Sequence, residues 1–230
     1  VAVYEYKNEA GLLIAEKCRI EFPDGRKQFK WRLPGGTWGA GLDSLKLRDI
    51  PLYGAEILAK AKPEERIWYV EGEKAQRAMA LHGFTTVTHG GGAGTKDFGE
   101  SLKALIGRTV ILWPDNDAPG RAYMGEVMSH LRMVAQSTLL FSCPVALPEK
   151  ADAYDYFARG GTAEALVAAL ETNASPTEAT VELLTDDSLR VTVPTGSGPV
   201  KMEFSAIETA GRRFDTEMTN GHFGRARALS

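Results

Sequence analysis

The feature that most constrains the fold is a repeated alternation of short apolar strands and helical stretches in the middle of the chain. Strand patterns lie at 67–70, 84–88, 109–113 and 137–141, and helical patterns at 73–82, 98–106 and 121–134. Connections this short are typical of βαβ units, whose crossovers are right-handed. The sequence therefore predicts an α/β fold with a parallel sheet flanked by helices.

Two β-rich segments flank this region, and together they predict three parts of the chain: 1–62, 63–175 and 176–230. The first part alternates polar and apolar residues between turns, which is typical of antiparallel strands. The last part follows a Ser175-Pro176 step and carries three short strand patterns. We expect a β-rich N-terminal subdomain and a small C-terminal β segment. Two interpretations of the C-terminal segment stay open, a part of this fold and the start of a further module.

Charge, hydropathy and cysteine content exclude several classes of protein. The 27 Lys+Arg and 30 Asp+Glu give a formal charge of −3, so any nucleic-acid contact has to come from a local basic patch. No run approaches the roughly 18 apolar residues of a membrane helix. Cys18 and Cys143 stand far apart from each other, which argues against a zinc site or a disulfide framework. We expect a cytoplasmic protein without membrane contact and, since no initiator Met or leader is present, a segment of a longer chain.

Three carboxylates follow the carboxyl ends of two predicted parallel strands. Glu71 comes directly after the strand at Ile67–Val70, and Asp115 and Asp117 follow the strand at Thr109–Trp113 after one proline. Ligands bind at this edge of open α/β sheets, and Mg²⁺ prefers a few carboxylates plus water and phosphate oxygens. Taken alone, a D-x-D pattern is more often a helix cap and turn. Its pairing with Glu71 favours a metal site.

Three other ligand-binding motifs are excluded by their spacing. The glycine-rich run 90–96 lacks the Gly-Lys-Ser/Thr ending of a P-loop and the last glycine of a dinucleotide fingerprint. The stretch from Asp115 to Glu126 begins like a calcium loop, but Pro119 occupies a position that needs a side-chain oxygen. The glycine run remains open to two interpretations, a phosphate-binding backbone loop or a plain connection.

The motifs around these carboxylates resemble the Toprim domain, which bacterial-type primases, topoisomerases and certain nucleases share. The matching residues are IWYVEGEK at 67–74, Gly83 and VILWPDNDAPG at 110–120. The runs GGGAGT, PDNDAPGR and DAYDYFARGGTAEAL are most similar to the primases of phages and mobile elements. The strong resemblance spans about 66–171, and a weaker one spans 1–60.

The resemblance implies roles for the acidic residues. It makes Glu71, Asp115 and Asp117 the catalytic, metal-binding carboxylates, with Glu71 either a ligand or a general acid/base. Such primases often carry further acids downstream, where this chain has Asp152 and Asp155 at a different spacing. We therefore include Asp152 among the expected ligands of Mg²⁺ (or Mn²⁺). The alternative is a helix cap at Asp152 and a surface acid at Asp155.

Four basic residues are candidates for binding nucleotide or nucleic acid. Lys74 and Arg121 fall on first helical turns near the carboxylates, where they can meet phosphate groups. Lys30 and Arg32 share one face of the third N-terminal strand and can track a single strand of nucleic acid. A solvated strand face over a core of Phe29, Trp31 and Leu33 explains the same alternation equally well.

By this resemblance we expect a DNA primase that makes short RNA primers on single-stranded DNA by Mg²⁺-dependent nucleotidyl transfer. Its substrates would be ribonucleoside triphosphates, its partner a helicase domain or subunit, and its context the replication of a phage or mobile element. A Toprim nuclease would use the same carboxylates with water as nucleophile. A third alternative is a nucleic-acid-binding module that is inactive without the zinc ribbon and other domains that usually accompany such primases. A topoisomerase is less expected, because the chain has no room for a strand-passing region.

Overall fold

A computed structural model describes residues 1–174 continuously and, beyond them, five strands. These are Thr180–Leu183, Leu189–Thr195, Gly198–Phe204, Glu217–Thr219 and His222–Arg225. The chain divides into two compact units, Val1–Ala174 and Ser175–Ser230. The predicted parts 1–62 and 63–175 therefore share one compact unit up to Ala174.

An antiparallel sheet of three strands opens the first unit. Its strands are β1 (Ala2–Lys7), β2 (Leu13–Glu21) and β3 (Lys27–Arg32), hydrogen-bonded in the order β1-β2-β3. Alternation along β1 buries Tyr4 and Tyr6 on one face, where they pack with Ala15 of β2, Trp31 of β3 and Ile50. The predicted β-rich N-terminal segment is confirmed.

Four parallel strands form the central sheet of the same unit. They are β4 (Ile67–Val70), β5 (Thr86–Val87), β6 (Thr109–Trp113) and β7 (Ser137–Leu140), in the order β5-β4-β6-β7. All residues of β4 are buried, as expected for a strand covered on both faces. Val70 is registered with Trp113, so β4 and β6 end at the same level. The predicted parallel sheet is confirmed.

Helices cover both faces of this sheet. They are α1 (Ala55–Leu58), α2 (Glu73–Leu81), α3 (Ala118–Leu131), α4 (Ala153–Ala158) and α5 (Ala163–Ala174). Alternate residues of β4 enter two different cores: Tyr69 packs with Val127 of α3, whereas Trp68 packs with Met79 of α2 and Leu166 of α5. The sheet is therefore the middle layer of three.

Several elements are shorter than the sequence predicts. The helix expected over 98–106 is a 3₁₀ segment at Ser101–Leu105, because Gly99 and Gly107 on either side adopt positive φ angles of 49° and 69°. The strand expected over 84–88 keeps only Thr86–Val87 in the parallel ladder, since Thr88 instead forms an antiparallel bridge outside it. The first departure is set by glycines in the segment itself, whereas the second depends on a contact with Tyr53 that a local pattern does not encode.

The second unit is antiparallel where it is described. β8 (Thr180–Leu183), β9 (Leu189–Thr195) and β10 (Gly198–Phe204) form a sheet in the order β10-β9-β8, as the sequence predicts. β11 (Glu217–Thr219) and β12 (His222–Arg225) form a further antiparallel pair that the sequence did not indicate. The boundary expected at Ser175-Pro176 lies outside the described residues. No described helix is long and apolar enough to cross a bilayer.

A buried ion pair joins the N-terminal sheet to the central layer. The Lys17 ammonium of β2 lies 2.6 Å from Oε1 of Glu73 in α2, and the two side chains are only 8% and 6% exposed. The Tyr6 hydroxyl donates to the same Oε1, and Lys17 also donates to the carbonyl oxygen of Gly90 at 2.8 Å. One buried charge pair thus holds β1, β2, α2 and the glycine-rich loop together.

We predict that Lys17→Met destabilises the protein by about 3–5 kcal/mol, because Glu73 would then be a buried carboxylate without its cation. The free energy of unfolding from urea titration measures the effect. Lys103→Met is the matched control, because its ion pair with Glu100 is exposed and worth at most about 1 kcal/mol. An equal loss in the two variants would contradict this role of Lys17.

Candidate active site

The candidate site lies where the strand order of the central sheet changes direction. From β4 the chain moves outward to β5 and then returns past β4 to β6 on its other side. In open α/β sheets, a ligand-binding crevice lies outside the carboxyl ends of the two strands at such a point. Glu71 follows β4 and Asp115 follows β6, so both carboxylates lie at this crevice.

A cavity of about 530 Å³ opens at this edge of the sheet. Its acidic lining residues are Glu71, Glu73, Asp115, Asp152 and Asp155. Lys17, Phe29 and Trp31 of the N-terminal sheet line it as well. The cavity is therefore enclosed by both sheets, and it combines carboxylates with cations and exposed aromatic surface.

Local hydrogen bonds hold the loop between β6 and α3. The carboxylate of Asp117 caps α3 by accepting from the backbone N–H of Gly120 at 2.7 Å, and Pro119 fits the first helical turn. The Asp117 N–H donates to the carbonyl of Asp115 at 2.8 Å. The cap interpretation of the D-x-D pattern is thus correct for Asp117. Asp115 is the member of the pattern that lines the cavity.

Glu71 and Asp115 are carboxylates in an unfavourable environment. Burial, and then the charges of Asp117 and Asp152, raise the pKa of Glu71 to about 7. Burial, and then mainly the charge of Glu71, raise the pKa of Asp115 to about 8. Oε2 of Glu71 is buried and has no hydrogen-bond partner in the structure. Unpartnered, desolvated carboxylates of this kind are stabilised by a cation.

Asp152 and Asp155 combine a structural role with a place at the cavity. Asp152 caps α4 by accepting from the N–H of Asp155 at 3.0 Å, and the carboxylate of Asp155 accepts from the N–H of Asp152 at 3.1 Å. This is a capping box. Burial also raises the pKa of the Asp152 carboxyl. The helix-cap alternative is therefore correct for Asp152, and its carboxylate still lines the cavity with Glu71.

The donor set suits a hard divalent cation such as Mg²⁺ or Mn²⁺. It consists of carboxylate oxygens, one of which is the unpartnered Oε2 of Glu71. Within the described part of the chain, no three Asp, Glu, His or Cys side chains already converge as a metal-binding group. Mg²⁺ usually takes one or two carboxylates and completes its shell with water and substrate phosphates. Glu71 and Asp115, with Asp117 and Asp152 beside them, fit that mode of binding.

The structure brings Lys74 to the cavity and places Arg121 next to it. Lys74, in the first turn of α2, lines the cavity and lies 3.6 Å above the ring of Tyr154. Arg121, near the start of α3, lines a neighbouring cavity of about 420 Å³ that shares Asp115 with the first. Both remain candidates for phosphate contacts.

Lys30 and Arg32 do not face the carboxylates of the candidate site. The guanidinium of Arg32 makes a forked pair with Glu16 at 2.6 and 2.9 Å, and it stacks on Trp38. Successive strand residues point to opposite faces, so the face of β3 that lines the cavity carries Lys27, Phe29 and Trp31. Phe29 is 46% exposed, so the alternative that assigned it to a core is wrong for this residue, whereas it is correct for Trp31, which packs against Tyr4 and Tyr6.

Sequence reasoning missed the Lys17–Glu73 pair and the position of Lys150, which lines the cavity together with the carboxylates. The two partners of the pair are 56 residues apart, and no local pattern connects them. In the sequence Glu73 belongs to the motif at 67–74 and to a helical pattern, in which an acidic residue ordinarily faces water, so its burial was not predicted. The aromatic alternation of β3 was visible, but the side of the strand that faces the site was not.

We predict that Gly120→Ala disturbs the site, whereas Gly125→Ala in the same helix does not. A Cβ on Gly120 would lie 2.8 Å from the backbone oxygen of Asp115 and 3.0 Å from Oε2 of Glu71, whereas one on Gly125 meets open space. We expect Gly120→Ala to weaken Mn²⁺ binding, measured by electron paramagnetic resonance, and to cost about 1–3 kcal/mol of stability. Gly125→Ala should stabilise by up to about 1 kcal/mol. Equal Mn²⁺ affinity in the two variants would contradict the arrangement.

We predict that Glu71 and Asp115 make a contribution to the stability of the metal-free protein that is lost as pH rises from about 4 to about 8. The raised pKa values of Glu71 and Asp115 mean that the folded state retains protons which the unfolded state releases in this range. Asp115→Asn should flatten this dependence and be more stable than the wild type at pH 8.5, by an amount on the order of 1 kcal/mol. Urea unfolding at several pH values in EDTA measures it. Parallel pH profiles for wild type and variant would refute the prediction.

Comparison with solved structures shows the same fold in primase catalytic regions. A primase domain from Pseudomonas aeruginosa aligns with 74% of this chain and 50% of its own, with a TM-score of 0.53 and 20% identity. The zinc-binding and RNA polymerase domains of the Aquifex aeolicus primase give 75% and 40%, with a TM-score of 0.54 and 20% identity. A primase catalytic domain solved with single-stranded DNA gives 74% and 50%, with a TM-score of 0.51 and 20% identity.

The chain spans half or less of the length of these three structures. Its sequence matches no protein-family model and no curated protein. Likeness at this level of identity establishes architecture, so the predicted Toprim-like fold is confirmed. The chain is an α/β protein with the fold of primase catalytic cores.

Proposed function

We propose that this chain is the catalytic core of a DNA primase, which joins ribonucleotides into short primers on single-stranded DNA. The observation that carries the proposal is the pair of desolvated carboxylates, Glu71 and Asp115, at the crevice of a fold shared with primase cores. Nucleotidyl transfer needs a site that concentrates negative charge for a cation and still admits phosphate. The enclosed, carboxylate-lined cavity meets both requirements.

In the proposed reaction a primer 3′-hydroxyl attacks the α-phosphate of a ribonucleoside triphosphate, and pyrophosphate leaves. A Mg²⁺ or Mn²⁺ ion held by Glu71, Asp115, Asp117 and Asp152 would neutralise charge that develops on the phosphate. Glu71 has an alternative role as general base, in which the other carboxylates would hold the ion: its pKa of about 7 in the metal-free site suits a group that takes up a proton from the hydroxyl. Lys74 lies at the same cavity and can bind phosphate oxygens.

The N-terminal sheet supplies the proposed contact with template. Phe29 is 46% exposed and shares the cavity with Trp31, so bases can stack on the face of β3 that lines it. The Lys17 ammonium lies 4.7 Å from the Phe29 ring centre and 5.5 Å from that of Trp31. Support for single-stranded DNA as template comes from the related fold that was solved with it.

The biological setting belongs to the same proposal. We place the protein in the cytoplasm, in the replication of a phage or mobile element, with a helicase domain or subunit as partner. The support is the resemblance of the motifs around Glu71, Asp115 and Asp152 to primases of that kind. Nucleotide dependence of the activity distinguishes this proposal from a nuclease that uses the same carboxylates.

We predict that Asp117→Asn lowers primer synthesis at least about 100-fold, because it removes a negative charge beside Glu71 and Asp115. Asparagine caps helices as well as aspartate does, so α3 should keep its start and the protein its stability. The assay combines single-stranded DNA, four ribonucleotides, one of them labelled, and Mg²⁺ or Mn²⁺. Glu126→Gln, on an exposed turn of the same helix, is the matched control and should leave synthesis unchanged.

The assay also distinguishes the alternative functions. Short products made only with nucleotides and template support the primase. Template shortened in the absence of nucleotides would overturn the primase proposal in favour of a nuclease. Binding of single-stranded DNA without any product would overturn the primase proposal in favour of a nucleic-acid-binding module. Undiminished synthesis by Asp117→Asn would refute the role of the carboxylates.

A further inference from the structure

Lys150 has a backbone conformation that side-chain-bearing residues rarely adopt. Its φ angle is +65°, and among the described residues Asp43 is the only other non-glycine residue with a positive φ. Lys150 lies in a turn that is closed by a hydrogen bond of 3.1 Å from the N–H of Ala151 to the carbonyl of Pro148. Glycine normally fills a turn position of this kind, because it has no Cβ to clash.

Asn116 holds this turn against the loop that carries the candidate metal ligands. The Lys150 N–H donates to the Asn116 carbonyl at 3.1 Å, and the Asn116 N–H donates to the Ala151 carbonyl at 2.9 Å. The Asn116 side-chain amide donates to the carbonyls of Leu147 and Pro148 at 2.7 and 3.1 Å. Four hydrogen bonds thus fix Lys150 relative to Asp115 and Asp117, which flank Asn116.

Lys150 is exposed and lines the same cavity as the carboxylates. Three other cations at the cavity are engaged: Lys17 pairs with Glu73, Arg19 pairs with Glu21, and Lys74 lies over an aromatic ring. Lys27 of β3 also lines the cavity. Within the described residues the Lys150 ammonium makes no ion pair. A strained residue that is over-determined by its surroundings is a feature of ligand-binding sites, and here it places a free cation two residues from Asp152.

We propose that Lys150 binds the β- and γ-phosphates of the incoming nucleotide and the pyrophosphate that leaves. The inference rests on the proposed function and assigns a phosphate-binding residue to the same site. An ammonium group is a flexible donor of three hydrogen bonds and a compact positive charge, which suits phosphate oxygens that have no fixed orientation.

The test is Lys150→Gly, which removes the charge and at the same time relieves the backbone. Binding of ATP, AMP and inorganic pyrophosphate in the presence of Mn²⁺ is measured by calorimetry. We expect ATP and pyrophosphate to bind about tenfold or more weakly and AMP to bind as before. The unfolding midpoint should stay equal or rise, because glycine accepts a positive φ. In turnover, KM for ribonucleotides should rise more than kcat falls, and Lys150→Arg should retain most of the affinity.

Asp43→Gly is the matched control. It relieves the other positive φ at an exposed position and should leave all three affinities unchanged. Wild-type affinity for ATP and pyrophosphate in Lys150→Gly would overturn the inference and leave the proposed function standing. Equal losses for AMP and ATP, or a lowered unfolding midpoint, would also overturn it, because the side chain would then be structural. Absence of Mn²⁺-dependent pyrophosphate binding by the wild type would overturn both proposals.

Discussion

The buried contact between Lys17 and Glu73 is the interaction on which the rest of the site depends. Two charges taken out of water are stable only when they are well paired, and here the Tyr6 hydroxyl and the Gly90 carbonyl complete the pairing. Because the partners come from β2 and α2, the contact fixes the N-terminal sheet against the carboxyl edge of the central sheet. A cavity with two walls results, and its enclosure contributes to the desolvation of Glu71 and Asp115.

That enclosure has a cost in stability that is consistent with a binding function. Burial disfavours the charged form of Glu71 and Asp115, and the neighbouring carboxylates disfavour it further. The pKa values of both groups are raised for these two reasons. Proteins concentrate such local conflicts at functional sites. The hydrogen bonds that oppose the conflict are local: Asp117 caps α3, Asp152 caps α4, and Asn116 joins the two loops.

The sequence predicts the central layer well because its signals are local. An apolar strand followed by Glu71, and another followed by Asp115, were enough to place both carboxylates at one edge of a parallel sheet. The face of β3 that contacts the site was harder to predict, because alternation along a strand defines two faces without indicating which one meets the rest of the protein. Lys30 and Arg32 lie on the face away from the site. The positive φ of Lys150 depends on hydrogen bonds to a residue 34 positions earlier, which no pattern around Lys150 reveals.

The central claim is that the carboxylates at the crevice between β4 and β6 bind a divalent cation. The most direct measurement is a crystal structure of the protein soaked in MnCl₂, with an anomalous difference map recorded at a wavelength where manganese scatters anomalously. The account predicts a peak in contact with the carboxylate oxygens of Glu71 and Asp115, at about 2.0–2.3 Å. A map with Mn²⁺ bound elsewhere, or with none at these carboxylates at saturating concentration, would contradict it.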